Sequence, residues 1–322
     1  MGPWMRLFGA ALLLLGSAVV ASAQDNYPSR PVRMVVPYPP GGTADLVSRV
    51  FAQELSNKLG QPIVIENRGG ATGRVGSEAV MRSAPDGYTP LTAVISSHGI
   101  APALSKSYPF DPTKDFVPVI KMGGSPVTLI ARRNFPASTV GELIAFAKAN
   151  PGKVNFASAG PGSVAHLAAE LLKQAAGIEM THVPYRGDAP AVNDLMSETV
   201  DLYFAPVGWP IVQGGRVKLM GTASPQRSPL TPDWPTLSET GAPGFVLVSW
   251  TGIMAPAGTP PEIVRKLNAL GNDVLAMPAV RKRFADMAYD TGGGSPADFG
   301  ADIKNDLDRF RRLNEKLNIT ME

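Results

Sequence analysis

Cysteine is absent from the 322 residues, and its absence excludes a disulfide framework, a thiol nucleophile and every cysteine-ligated metal site. Histidine is scarce. His98, His166 and His182 are the three in the chain; no two stand at His-x-x-x-His spacing and no paired carboxylates accompany them, so neither a metal nor another cofactor is expected. An excess of charge of one sign is lacking too: 30 Lys and Arg face 27 Asp and Glu, interspersed along the chain. That leaves no basic stripe for nucleic acid. Beyond residue 23 no apolar run approaches the roughly 18 to 20 residues that span a bilayer.

What is present begins with a leader. One basic residue, Arg6, precedes an apolar run from Leu7 to Val20 and the small-x-small triplet Ala21-Ser22-Ala23, the pattern of an export signal cleaved after Ala23. The run is too short for a membrane anchor, so a periplasmic protein is expected. The rest of the chain, roughly 300 residues, can bury a full core and would normally divide into two lobes. Strand-like runs at 32–36, 63–66, 91–96, 127–131, 154–157, 180–184, 200–205, 219–222 and 253–255 alternate with helical stripes. The alternation predicts an α/β fold with mostly parallel sheets flanked by helices. Helix starts are expected at Thr139 with Glu142, at Thr259 before Pro260 and Pro261, and at Ser295 before Pro296. Chain crossings near Gly123–Val127 and Thr222–Pro229 predict one lobe of residues 24–124 plus 226–322 and a second of 125–225.

Two segments carry the chemistry. The first, Val32 to Asp45, reads as a buried strand, a turn at Gly41-Gly42 and a helix with apolar residues at Leu46, Val47, Val50, Phe51, Leu55 and Leu59, closed by Gly60. The second, Val154 to Ser163, reads the same way, with a following stripe of Leu167, Leu171 and Leu172 closed by Gly177. Helix N-termini present unpaired N–H groups and a positive dipole end to an anion. Two of them suggest a ligand held from two sides. Gly41, Gly42, Gly160 and Gly162 would supply amides, Ser158 and Ser163 hydroxyls, and His166 a brace for the loop; the first loop also reads as a plain tight turn. Ser96 and Ser97 and the segment His182 to Asp188 stand at further strand ends, where open α/β sheets form their crevice.

Two enzymatic readings compete. Ser163 or Ser158 could serve a periplasmic hydrolase, but no Gly-x-Ser-x-Gly elbow surrounds either, and three-residue spacing does not align Ser163 with His166. Gly160-x-Gly162-x-x-Ala165 followed by Glu179 matches a dinucleotide fingerprint in form only. Pro161 removes a donor from it, and it does not open the fold.

The motifs Tyr27 to Arg33, Pro37 to Asp45, Glu66 to Ala71, Ala84 to Tyr88, Phe110 to Phe116, Ser158 to Ala168, His182 to Gly187 and Ala255 to Pro260 together resemble the Bug-type periplasmic receptors of tripartite tricarboxylate transporters. The resemblance covers nearly the whole chain after the leader. It implies a two-lobe flytrap of the type II periplasmic binding-protein class, a monomeric non-catalytic receptor that closes on a small organic carboxylate. The implied contacts are Tyr38, Gly41, Gly42, Thr43 and Asp45 in one loop, Ser158, Gly160, Gly162, Ser163 and His166 in the other, with Ser96, Ser97, Asp188 and Ala205 beside them. Transporter membrane subunits or a sensor protein are the implied partners. Four positions depart from the family pattern: Pro90, Pro161, Asp188 and Ala205. Fewer donors and an added acid favour a monocarboxylate, an aromatic acid or an amino acid over a citrate-like polyanion. Asp188 also has plainer readings, as a partner for Arg186 or a cap for the helix starting near Ala189.

Overall fold

The computed structural model describes residues 27–206 and 209–317. The expected leader, with its cleavage after Ala23, lies outside the described residues, as does the side chain of Trp209. The first sheet has six strands in the order β11-β4-β10-β3-β1-β2: β1 (Val32–Val36), β2 (Ile63–Asn67), β3 (Leu91–Val94), β4 (Phe116–Pro126), β10 (Val248–Pro256) and β11 (Asp290–Thr291). The second has five in the order β7-β6-β8-β5-β9: β5 (Thr128–Arg132), β6 (Asn155–Ser158), β7 (Thr181–Pro184), β8 (Leu202–Ala205) and β9 (Val217–Thr222). Both sheets are mixed. In the first, β10 lies between β3 and β4 and runs antiparallel to both; in the second, β5 lies between β8 and β9 in the same way. Four strands in each sheet still run the same way, β1 to β4 in the first and β6 to β9 in the second, so the sheets are mostly parallel as expected, with inverted strands among them. The inverted strands β10 and β5 are the ones the chain enters directly after leaving the other sheet, and β11 at the edge of the first sheet is inverted as well.

Helices fill the connections: α1 (Thr43–Leu59), α2 (Arg74–Met81), α3 (Ala101–Leu104), α4 (Val140–Ala149), α5 (Val164–Ala176), α6 (Asp188–Met196), α7 (Trp209–Gln213), α8 (Leu237–Thr240), α9 (Pro261–Ala276), α10 (Pro278–Ala285) and α11 (Pro296–Leu317). Their ends follow local chemistry. Gly60 at φ 70° and Gly177 at φ 60° close α1 and α5 in left-handed conformation, which glycine adopts without Cβ strain. Thr139 caps α4 through the Glu142 amide, and Ser295 and Asp298 exchange bonds at the start of α11. The start of α9 is set by Pro260 and Pro261, whereas the Thr259 hydroxyl bonds the Pro256 carbonyl.

The sheets join at one narrow place. Val127 N–H donates to the Leu247 carbonyl, Leu247 N–H to Ala223 and Ala223 N–H to Val127, at 2.7–3.0 Å. After β9 the chain stays on the second sheet, because α8 packs on β9 and α4. The return strand therefore leaves at Leu247 and not at the expected Thr222–Pro229.

Candidate functional site

The C-terminal ends of β1, β3, β6, β7 and β8 converge between the sheets, and the N-termini of α1 and α5 meet there. A cavity of about 30 Å³ is lined by Ala44, Ala165, Ser96, Ser163, Asp188 and Thr251 among others. Ala44 and Ala165 are each the second residue of their helix, a position whose N–H has no partner within the helix. The cavity thus receives the donor ends of both helices. A larger groove of about 840 Å³ lies against the C-terminal half of α5 and the Arg309–Leu313 stretch of α11, and it includes none of these residues.

Contacts between the two halves are direct. Thr72 Oγ donates to the Pro161 carbonyl at 2.7 Å, and Val164 N–H donates to Ser96 Oγ at 3.0 Å. Tyr38 is buried and gives its hydroxyl to the Thr72 carbonyl at 3.0 Å, while burial holds its pKa well above the usual phenol value. Thr72 itself stands at φ 53°, a left-handed conformation that a β-branched residue rarely adopts and that tends to mark functional loops.

Asp188, one of the expected residues, lines the cavity. It is the first residue of α6, and its carboxylate reaches across to the start of α1. Tyr203 OH donates to Oδ1 at 2.6 Å, and Thr43 directs its N–H and its hydroxyl at the same group. Oδ2 lies 3.7 Å from where a Cβ on Gly42 would stand. Burial pushes the Asp188 carboxyl up, against these donors, which favour the charged form. Arg186 is exposed and Gly187, not Asp188, precedes the helix as its cap residue, so both plainer readings of Asp188 are corrected.

Several expected contacts are engaged within the chain. Gly41 N–H donates to Asp45 Oδ2 at 2.9 Å; the other partners of Asp45 are Arg49 and Asn67. Burial acts to raise the Asp45 carboxyl, but these hydrogen bonds outweigh it and hold it below the usual carboxylate range. Asp45 therefore braces the loop and does not face the cavity. Gly160 N–H goes to Ser158 Oγ at 3.0 Å and Gly162 N–H to His166 Nδ1 at 3.2 Å. Ser158 also pairs with His182 Nε2 at 2.6 Å and is fully buried. Ser97 is buried behind Ser96, bonded to His98 and the Val94 carbonyl. Ala205 is buried in β8 opposite Thr128; its neighbour Pro206 lines the cavity instead. Ser163 caps α5 through the His166 amide, as expected, and keeps its place on the cavity wall.

His166 does brace its loop. Its ring stacks on His182 at 4.3 Å between centroids, and His182 stacks on Phe156 at 4.9 Å. Burial holds both histidines down to about 4, so they are neutral at pH 7. His166 Nδ1 is occupied by the Gly162 amide, and Ser158, fully buried, offers an ester no approach. Neither serine is arranged as a hydrolytic nucleophile. Among the described residues no three His, Asp or Glu are grouped to hold a metal.

The model of the tripartite tricarboxylate transporter family receptor matches residues 47–319. The chain belongs to this family. Protein BugT of Bordetella pertussis is 38% identical over 284 residues, 87% of either chain. An R. palustris protein solved with adipate superposes with a TM-score of 0.89 at 32% identity, covering 92% of this chain and 99% of its own. MatC from Rhodopseudomonas palustris, solved with bound malate, gives 0.85 at 35% identity, covering 89% and 99%. The chain is thus a Bug-type receptor with a two-lobe periplasmic binding-protein fold, and not an enzyme. Thr72, Tyr203, Ser249 and Thr251 were missed by sequence reasoning. A hydroxyl residue after Gly69-Gly70-Ala71 was the available signal for Thr72; nothing local marks the others.

Proposed function

We propose that this receptor acts outside the cytoplasm, binds a small organic acid between its two lobes and delivers it to membrane subunits of a tripartite transporter or to a sensor. The observation that carries the reading is the convergence of the α1 and α5 N-termini on one cavity walled by Ser96, Ser163, Ser249 and Thr251. A carboxylate placed there accepts helix-end amides and hydroxyls, each charge-assisted bond contributing about 1.5 to 3 kcal/mol. The ligand-bound relatives support the same class, since one holds adipate and another malate. The departures at Pro161, Asp188 and Ala205 favour a monocarboxylate, an aromatic acid or an amino acid.

Selectivity comes from closure. The lobes hinge at Val127, Ala223 and Leu247, where three backbone bonds are the meeting point of the sheets. A cavity of this size opens for entry and closes on the bound acid, desolvating its carboxylate. A thermal-shift screen of carboxylic acids against size-matched neutral alcohols tests the reading. An acid at 100 times its dissociation constant adds about 2.7 kcal/mol; stabilisation by alcohols and by no acid would contradict it.

A further inference from the structure

The described lining of the cavity holds no Lys, Arg or His, and its one acid is Asp188. That is an odd residue to find in a pocket for anions. Its surroundings show what it does there: the start of α1 and the Tyr203 hydroxyl give it the set of donors that a ligand carboxylate would seek. Tyr203 is fully buried on β8 and belongs to the second sheet, whereas Thr43 belongs to the first-sheet half. The carboxylate therefore bridges the halves in the manner of a bound acid.

We propose that Asp188 is a built-in carboxylate that occupies the α1 end of the cleft, so that this receptor selects acids presenting one carboxylate, held at the α5 end. The inference rests on the organic-acid reading above and narrows it. It also separates the candidates named there. An amino acid would need Asp188 as counter-ion for its ammonium, but Tyr203 and Thr43 already supply three donors to that group. A second ligand carboxylate would have to displace Asp188 or lie against it, and like charges repel. A neutral tail meets neither obstacle.

The test is calorimetric titration of wild type, Asp188→Gly and Asp188→Asn with two matched pairs, hexanoate against adipate and benzoate against terephthalate. Asp188→Gly opens the α1 end; Asp188→Asn keeps an acceptor for Tyr203 and removes the charge, which guards against misfolding of the glycine variant. The quantity read is the diacid-to-monoacid affinity ratio within each protein, which a general loss of stability does not move. Wild type is expected to prefer the monoacid in at least one pair, and both variants to shift that ratio toward the diacid by about tenfold or more. A wild type that prefers the diacids, or a ratio unchanged in both variants, overturns the role of Asp188 and leaves the organic-acid reading standing. Failure of all three proteins to bind any of the four acids at millimolar concentration overturns both.

Discussion

Single residues divide into those that shape the loops and those left for a ligand. Asp45 is the clearest of the first kind, with a side chain 3% exposed and bonds to Gly41, Arg49 and Asn67. Asp45→Ala leaves three donors without their acceptor, and urea denaturation should show a loss of about 1 to 3 kcal/mol; a loss below about 0.5 kcal/mol would remove Asp45 from the scaffold. His98 makes a different demand. It is fully buried against Phe110 and Phe116, and burial holds its pKa down to about 3. Since the unfolded value is near 6.5, the unfolded chain binds the extra proton between these limits, so stability is complete above about pH 6.5 and falls as pH drops toward 3. His98 alone contributes a slope of about 1.4 kcal/mol per pH unit in that window. His166 and His182 act in the same direction down to about 4. Urea midpoints measured across this range should flatten in His98→Phe, and an unchanged slope would show that His98 is not responsible.

At the scale of elements, helix ends were legible because their signals are local. Gly60, Gly177, Thr139, Ser163 and Ser295 each act through neighbours within a few positions. Ser163→Ala should cost about 1 kcal/mol through loss of its cap, largely restored in Ser163→Thr; equal losses in both variants would mean that the hydroxyl is not the stabilising group. β4 was illegible for the opposite reason. Pro118, Gly123, Gly124 and Pro126 read as breakers, yet Pro118 and Gly123 lie within the strand beside its two register shifts against β10, Gly123 and Gly124 pair with β11, and Pro126 ends the strand opposite Val248. Gly123 shows why a glycine is needed there, since a Cβ would stand 2.1 Å from the Asp290 carbonyl. β3 stops at Val94 because Ser96–Ile100 forms a wide π-type turn that brings Ser96 to the Val164 amide. The two helix ends were expected to present free glycine amides. Gly41, Gly160 and Gly162 are instead bonded to Asp45, Ser158 and His166, and the partner of Asp188 came from another element. Such pairings depend on tertiary contact, which spacing alone does not reveal.

Across the whole molecule, the halves meet through few polar bonds, chiefly Thr72 to Pro161, Val164 to Ser96 and Asp188 to Thr43. The combined variant Thr72→Ala with Ser96→Ala should keep a near wild-type melting temperature while small-angle scattering of the ligand-free protein shows a larger radius of gyration. An identical radius would argue that these bonds do not hold the cleft closed. The central claim, that a carboxylate is gripped by converging helix ends, faces its most direct test in calorimetric titration of the wild-type protein with its best-binding acid and with the methyl ester of that acid. The ester keeps the shape and loses the charge, so the account predicts at least a hundredfold weaker binding, about 2.7 kcal/mol; equal affinity for acid and ester would contradict it.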